Sequence, residues 1–156
     1  MAMRLVRYLR PECFIVDLAE KSREDALRRI IRAAAENGLV ENEASVLAKL
    51  MDREKLQSTA VGNGIAIPHC FTDEVPGLII IVARSSGGLE FDSFDGKPVR
   101  TLFLLMGNRS DYTLHLKALA LIARLIKRMA FIEKIGSSTS AQDMIRAFEE
   151  EEAKVS

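Results

Sequence analysis

Two apolar runs constrain what this chain can fold into: Leu78-Ile79-Ile80-Ile81-Val82-Ala83, and Val99 to Met106. The first has no polar position, and the second has only Arg100 and Thr101 near its start. Strands with so little alternation are buried on both faces, and helices laid over a sheet supply that cover.

Helical patterns flank these runs. Ala26, Leu27, Ile30, Ile31 and Ala34 recur at helical spacing, with Gly38 as the stop signal. Ser22 is placed to cap that helix, with Asp25 three residues on. A second helix is expected from Glu43 to Leu56, with Val46, Leu47 and Leu50 on one face. A third is expected from Asp111 to Lys127, burying Leu116, Leu119, Ala120, Ala123 and Ile126. Short helices at Phe131–Ile135 and Ala141–Glu149 follow, and Glu149 to Glu152 reads as a solvated acidic tail. Cys13 to Val16 reads as a short strand. Gln57 to Ile67 reads as two extended pieces joined by a tight turn at Asn63-Gly64, and Gly87-Gly88 as the end of the first apolar strand. The expected fold is α/β: one layered domain over residues 1–156, core about 14–148, tail 149–156. Its sheet is mixed, four- or five-stranded and flanked by helices.

Composition narrows the function. A 156-residue chain that is 48% apolar and 28% charged suits one globular domain. Lys and Arg number 22, as do Asp and Glu, so no overall field favours nucleic acid or an anionic membrane. No window approaches the roughly 20 apolar residues of a spanning helix, and the first residues lack a signal-like apolar run. Direct membrane insertion is not expected. Cys13 and Cys70 fit neither a disulfide framework nor a zinc site, so the expected setting is the reducing cytoplasm.

Chemistry concentrates in Ser58 to Cys70. His69, one of two histidines, follows Pro68 at the end of an apolar piece punctuated by Gly62 and Gly64. Pro68 fixes its own φ and biases Ile67 to be extended, so His69 is delivered on a stiff backbone. Such a histidine can present one ring nitrogen as a nucleophile at neutral pH. The same residues also fit a plain hairpin that happens to end in histidine. His115 falls in the first turn of the third helix, whose positive end attracts anions and disfavours imidazolium. Taken alone, a partly buried ring against Tyr112 or Leu119 is the better reading. Arg53 offers a fork for phosphate oxygens or is an ordinary surface charge. There is no phosphate-binding loop ending in Gly-Lys-Ser or Gly-Lys-Thr, no dinucleotide fingerprint, no Gly-x-Ser-x-Gly elbow and no carboxylate cluster for zinc. Cys70 should point away from His69 across an extended backbone and serve packing.

Taken together, Arg53-Glu54, Ser58-Thr59 and Gly62-Asn63-Gly64-Ile65-Ala66-Ile67-Pro68-His69 resemble the signature of the phosphotransferase-system enzyme IIA domains of the fructose/mannitol type, including the nitrogen-regulatory IIA proteins. Phe91 to Val99 and His115-Leu116-Lys117-Ala118-Leu119 extend the resemblance, which runs from about Phe14 to Phe148. It implies a phosphotransferase whose acceptor, His69, takes a phosphoryl group on Nε2 from the carrier HPr or its nitrogen-branch paralogue. His115 and Arg53 would be the other site residues. A IIB domain or a regulated protein would be the next partner, and no cofactor or metal is implied. The absence of a fused IIB or IIC region favours the regulatory branch. The alternatives are a sugar-specific IIA component and a binding module that no longer transfers.

Overall fold

The computed structural model describes residues 3–155; Met1, Ala2 and Ser156, which the expected domain bounds include, lie outside it. The two apolar runs form the centre of the sheet. β5 (Ile79–Leu89) and β6 (Val99–Gly107) pair antiparallel, Ile80 opposite Leu105 and Val82 opposite Phe103. Ile79 to Ala83 and Thr101 to Gly107 are buried without a break, as strands covered on both faces must be.

Around this pair the sheet reaches six strands among the described residues, more than the expected four or five. β1 (Phe14–Ile15) runs parallel to β5, and β3 (Ile65–Ala66) parallel to β6. β2 (Ala60–Gly62) closes a hairpin onto β3 through Asn63 (φ 56) and Gly64 (φ 78). Positive φ at both turn positions is what the Asn-Gly pair supplies. β4 (His69–Phe71) is the extra strand. It pairs with β6 farther along the edge that β3 uses, with His69 opposite Leu105.

Among the described residues five α-helices pack on this sheet: α1 (Arg23–Glu36), α2 (Glu43–Leu56), α3 (Tyr112–Leu125), α4 (Met129–Gly136) and α5 (Ala141–Glu152). Ser22 caps α1 as expected, its hydroxyl accepting from Asp25 N at 3.1 Å. Asn42 caps α2 in the same way. Phe14, Phe103, Phe131 and Phe148 form one edge-to-face and stacked cluster that ties α4 and α5 to the sheet.

Three expectations are corrected. Gly87-Gly88 does not end β5; the strand bulges there, with Gly88 at φ +82, and continues to Leu89. The buried stripe of α3 is His115, Ala118, Leu121, Ile122 and Leu125, so Leu116, Ala120 and Ala123 face outward. The acidic tail is not solvated where it was expected to be. α5 runs through it, and Glu151 and Glu152 are buried. Glu151 meets Arg128 at 3.0 Å, Lys134 at 2.7 Å and Lys154 at 3.1 Å. Glu152 accepts from the backbone N–H groups of Leu5 and Val6. Every oxygen therefore has a partner, which is what makes burial of the two carboxylates tolerable.

Candidate functional site

The edge of β6 positions the first histidine. Leu105 N donates to Pro68 O at 2.9 Å, and β4 then holds His69, Cys70 and Phe71 in register with Leu105, Met106 and Gly107. Successive side chains alternate across a strand. His69 and Phe71 therefore share one side, while Cys70 turns away, 6% exposed, with its thiol pushed up to about 11 by burial. Cys70 is a packing residue, as its position predicts, and is no thiolate at neutral pH.

The His69 ring is half-buried, and its Nδ1 lies 2.8 Å from the carbonyl oxygen of Ile67. A carbonyl oxygen can only accept, so Nδ1 carries the proton and donates it. The neutral ring then has its lone pair at Nε2.

The second ring comes from α3. His115 and His69 have ring centres 6.1 Å apart, inclined at 56°. His115 is 1% exposed, and among the described residues neither ring nitrogen has a hydrogen-bond partner. Phe71 packs on it at 4.4 Å and Tyr112 stacks on Phe71 at 5.5 Å. Burial, and secondarily the neighbouring His69, push the His115 pKa down to about 4. The ring is neutral at physiological pH, as its helix-end position suggests. Desolvation is the main cause, and the Asp111 side chain makes no cap bond to α3.

Arg53 sits in the last turn of α2, and its Nη1 donates to Gln57 O at 3.1 Å. It lines a cavity of about 310 Å³ with Lys49, Cys70, Phe71 and Arg109, whose guanidinium lies 5.6 Å over the Phe71 ring. The fold thus brings the two histidines together. It sets Arg53 on the neighbouring cavity, where, among the described residues, no hydrogen bond joins it to either imidazole. A larger, mostly apolar cavity of about 660 Å³, lined by Val61, Ile65, Ile126, Met129 and Ile132, holds none of the three.

Phe71 and Gly107 emerge as site residues only in the structure. Phe71 carries a usable signal, two residues beyond His69 on the same side of a strand. Gly107 carries almost none. A Cβ there would lie 2.7 Å from His115 Nδ1, so only glycine leaves room for the ring.

The comparisons with known proteins converge on one family. A family model described as phosphoenolpyruvate-dependent sugar phosphotransferase system, EIIA 2, matches residues 7–151. A nitrogen regulatory protein of Bradyrhizobium diazoefficiens is 38% identical over 141 residues, 90% of this chain and 91% of the relative. A fructose-specific EIIA component of Haloferax volcanii is 32% identical over 121 residues, 78% of this chain and 79% of the relative. The crystal structure of the nitrogen regulatory protein IIA-Ntr from Neisseria meningitidis superposes with a TM-score of 0.85 at 26% identity. The match covers 92% of this chain and 98% of that one.

Proposed function

The chain belongs to the EIIA 2 family of the phosphoenolpyruvate-dependent sugar phosphotransferase system, and from that premise we propose that it is a cytoplasmic phosphocarrier with His69 as the acceptor. The donor is the phosphohistidine of HPr or its nitrogen-branch paralogue. The observation that carries this reading is the 2.8 Å contact of His69 Nδ1 with Ile67 O, which puts the single proton of a neutral ring on Nδ1 and its lone pair on Nε2.

The step is an in-line displacement. The Nε2 lone pair of His69 forms a bond to phosphorus while the donor's P–N bond breaks and its electron pair returns to the donor ring. No proton has to move. The product ring keeps Nδ1–H and becomes cationic, and a charged donor strengthens the bond to Ile67 O. Such a transfer rests on alignment and on stabilising the charge of the equatorial oxygens.

His115 is suited to the second task. As a neutral ring it offers one N–H, and a buried nitrogen without a partner costs about 1–3 kcal/mol of lost hydrogen bonding. A phosphoryl oxygen would restore that bond. Its negative charge would also raise the His115 pKa from about 4. Arg53, on the adjoining cavity, is assigned to the incoming group and its carrier rather than to the resting imidazole. Partner docking would exclude water from the P–N bond.

The regulatory, nitrogen-type branch is favoured by the relative at 38% identity. The fructose-specific relative at 32% identity supports a second reading, a IIA component that hands the group to a IIB partner. The decisive experiment is incubation with phosphoenolpyruvate, enzyme I and HPr. An acid-labile phosphate on the wild type and none on folded His69→Ala supports transfer. No label on folded wild type with a cognate donor would leave a module that acts by contact alone. Rapid onward transfer to IIB would select the second reading over the first.

A further inference from the structure

Glu54 is 2% exposed at the end of α2, where an ionised carboxylate persists only if its oxygens are matched. Its Oε2 accepts from Thr59 N at 3.1 Å and faces Arg23 Nη1 at 3.9 Å, and its Oε1 accepts from the Thr59 hydroxyl. The grip continues beyond Thr59. Thr59 O accepts from Ile67 N at 3.0 Å, and Ile67 O is the group that accepts from His69 Nδ1. An unbroken series of hydrogen bonds thus runs from a buried carboxylate to the ring proton of His69. The preceding residue on the same helical turn is Arg53.

We propose that Glu54 is a positioning residue for phosphoryl transfer. By clamping Thr59 to the end of α2 it fixes the orientation of the Ile67 carbonyl, and through it the Nδ1–H form of His69, relative to Arg53. Thr59 and Ile67 flank the β2–β3 hairpin; β3 stays paired with β6, and without the clamp the Thr59 side of the hairpin loosens against α2. The Ile67 carbonyl then swings off the ring. The imidazole distributes its proton between Nδ1 and Nε2, and the fraction with a free Nε2 falls. This proposal rests on the carrier reading for its functional meaning, but its structural content does not require a phosphoryl donor.

The test is ring ¹⁵N–¹H correlation spectroscopy of His69 at about pH 8, where imidazole is neutral, alongside the transfer rate. Wild type should show Nδ1 protonated and Nε2 bare. Glu54→Ala should give a mixture of both forms and transfer slowed about tenfold. Glu54→Gln keeps an oxygen for Thr59 N–H and offers an amide to the Thr59 oxygen, so it should restore both readouts. Glu151→Ala removes a carboxylate of equal burial at the far end of the chain; it should lower thermal stability and leave the His69 spectrum untouched. Thr59→Val deletes only the hydroxyl link and should give an intermediate spectrum. It carries the test if Glu54→Ala does not fold. A wild-type ring spectrum in folded Glu54→Ala, or in Thr59→Val where Glu54→Ala is unfolded, overturns the proposal. So does an equal spectral change in Glu151→Ala. The spectra need no donor, so failure of wild type to take label would sink the carrier reading while the ring's tautomer is judged separately.

Discussion

His69 and His115 have ring centres only 6.1 Å apart, yet their surroundings are opposed. His69 is half-exposed on a three-residue strand, with Nδ1 anchored to a backbone carbonyl. His115 is sealed on a helix between Phe71 and Gly107, with both nitrogens unpartnered among the described residues. The first environment fixes a tautomer and leaves a nucleophile; the second removes charge and leaves hydrogen-bonding capacity unused. In the proposed transfer, one backbone hydrogen bond and a difference in burial would divide the reaction between two residues of one type.

Exchanging or deleting these environments should break that division in order of size. His69→Ala should abolish labelling altogether with the fold intact; residual label at the wild-type level would place the acceptor elsewhere. His115→Ala should still accept phosphate, but about 10²-fold more slowly, the scale seen when one preorganised donor is removed from a charge-stabilising site. Matching time courses would make His115 purely structural. Arg53→Ala should slow transfer by roughly 10-fold or more without loss of helicity, and an unchanged rate would remove Arg53 from the site.

The acid response sharpens the comparison further. The unfolded chain protonates position 115 below about pH 6.5, whereas the folded chain resists until about pH 4. Stability is therefore complete above the ordinary histidine range. It should decline as pH falls across this window, by about 3 kcal/mol from this residue. Denaturant melts of wild type and His115→Gln between pH 7 and 4, on the order of one pH unit apart, should show the decline in the first and a flatter profile in the second. Parallel profiles would mean that the ring is not held neutral. Gly107→Ala should destabilise by about 1–3 kcal/mol, the range for forcing a methyl into a packed site, and slow transfer, because a Cβ would meet His115 Nδ1 at 2.7 Å. A crystal structure of that variant with an unmoved ring would refute the contact.

The fold was legible where signals are local. The Ser22 cap and the Asn63-Gly64 turn depend on a few neighbouring residues, and both appear as read. The phase of α3 was not, because Ala118, Ala120 and Ala123 suit either face and His115 counts as polar until Phe71 and Gly107 close over it. The run Glu149 to Glu152 looks solvated because its partners are distant in sequence. Arg128 and Lys134 claim Glu151, and the backbone at Leu5 and Val6 claims Glu152. β4 was missed as a strand because three residues give no period. Its pairing is decided by the stretch of β6 edge that β3 leaves open. Of the site, His69, His115 and Arg53 were visible as residues. Their separation into a paired set and a neighbour on the adjoining cavity was not.

In the proposed carrier, a neutral His69 retains Nδ1–H and takes phosphate on Nε2. Phosphorylating ¹⁵N-labelled protein through enzyme I and HPr, then recording ³¹P and ring ¹⁵N spectra, tests it directly. One phosphohistidine is expected, at position 69, bonded through Nε2, with a protected Nδ1–H signal. Phosphate on Nδ1 of that ring, or on any other residue, would contradict it.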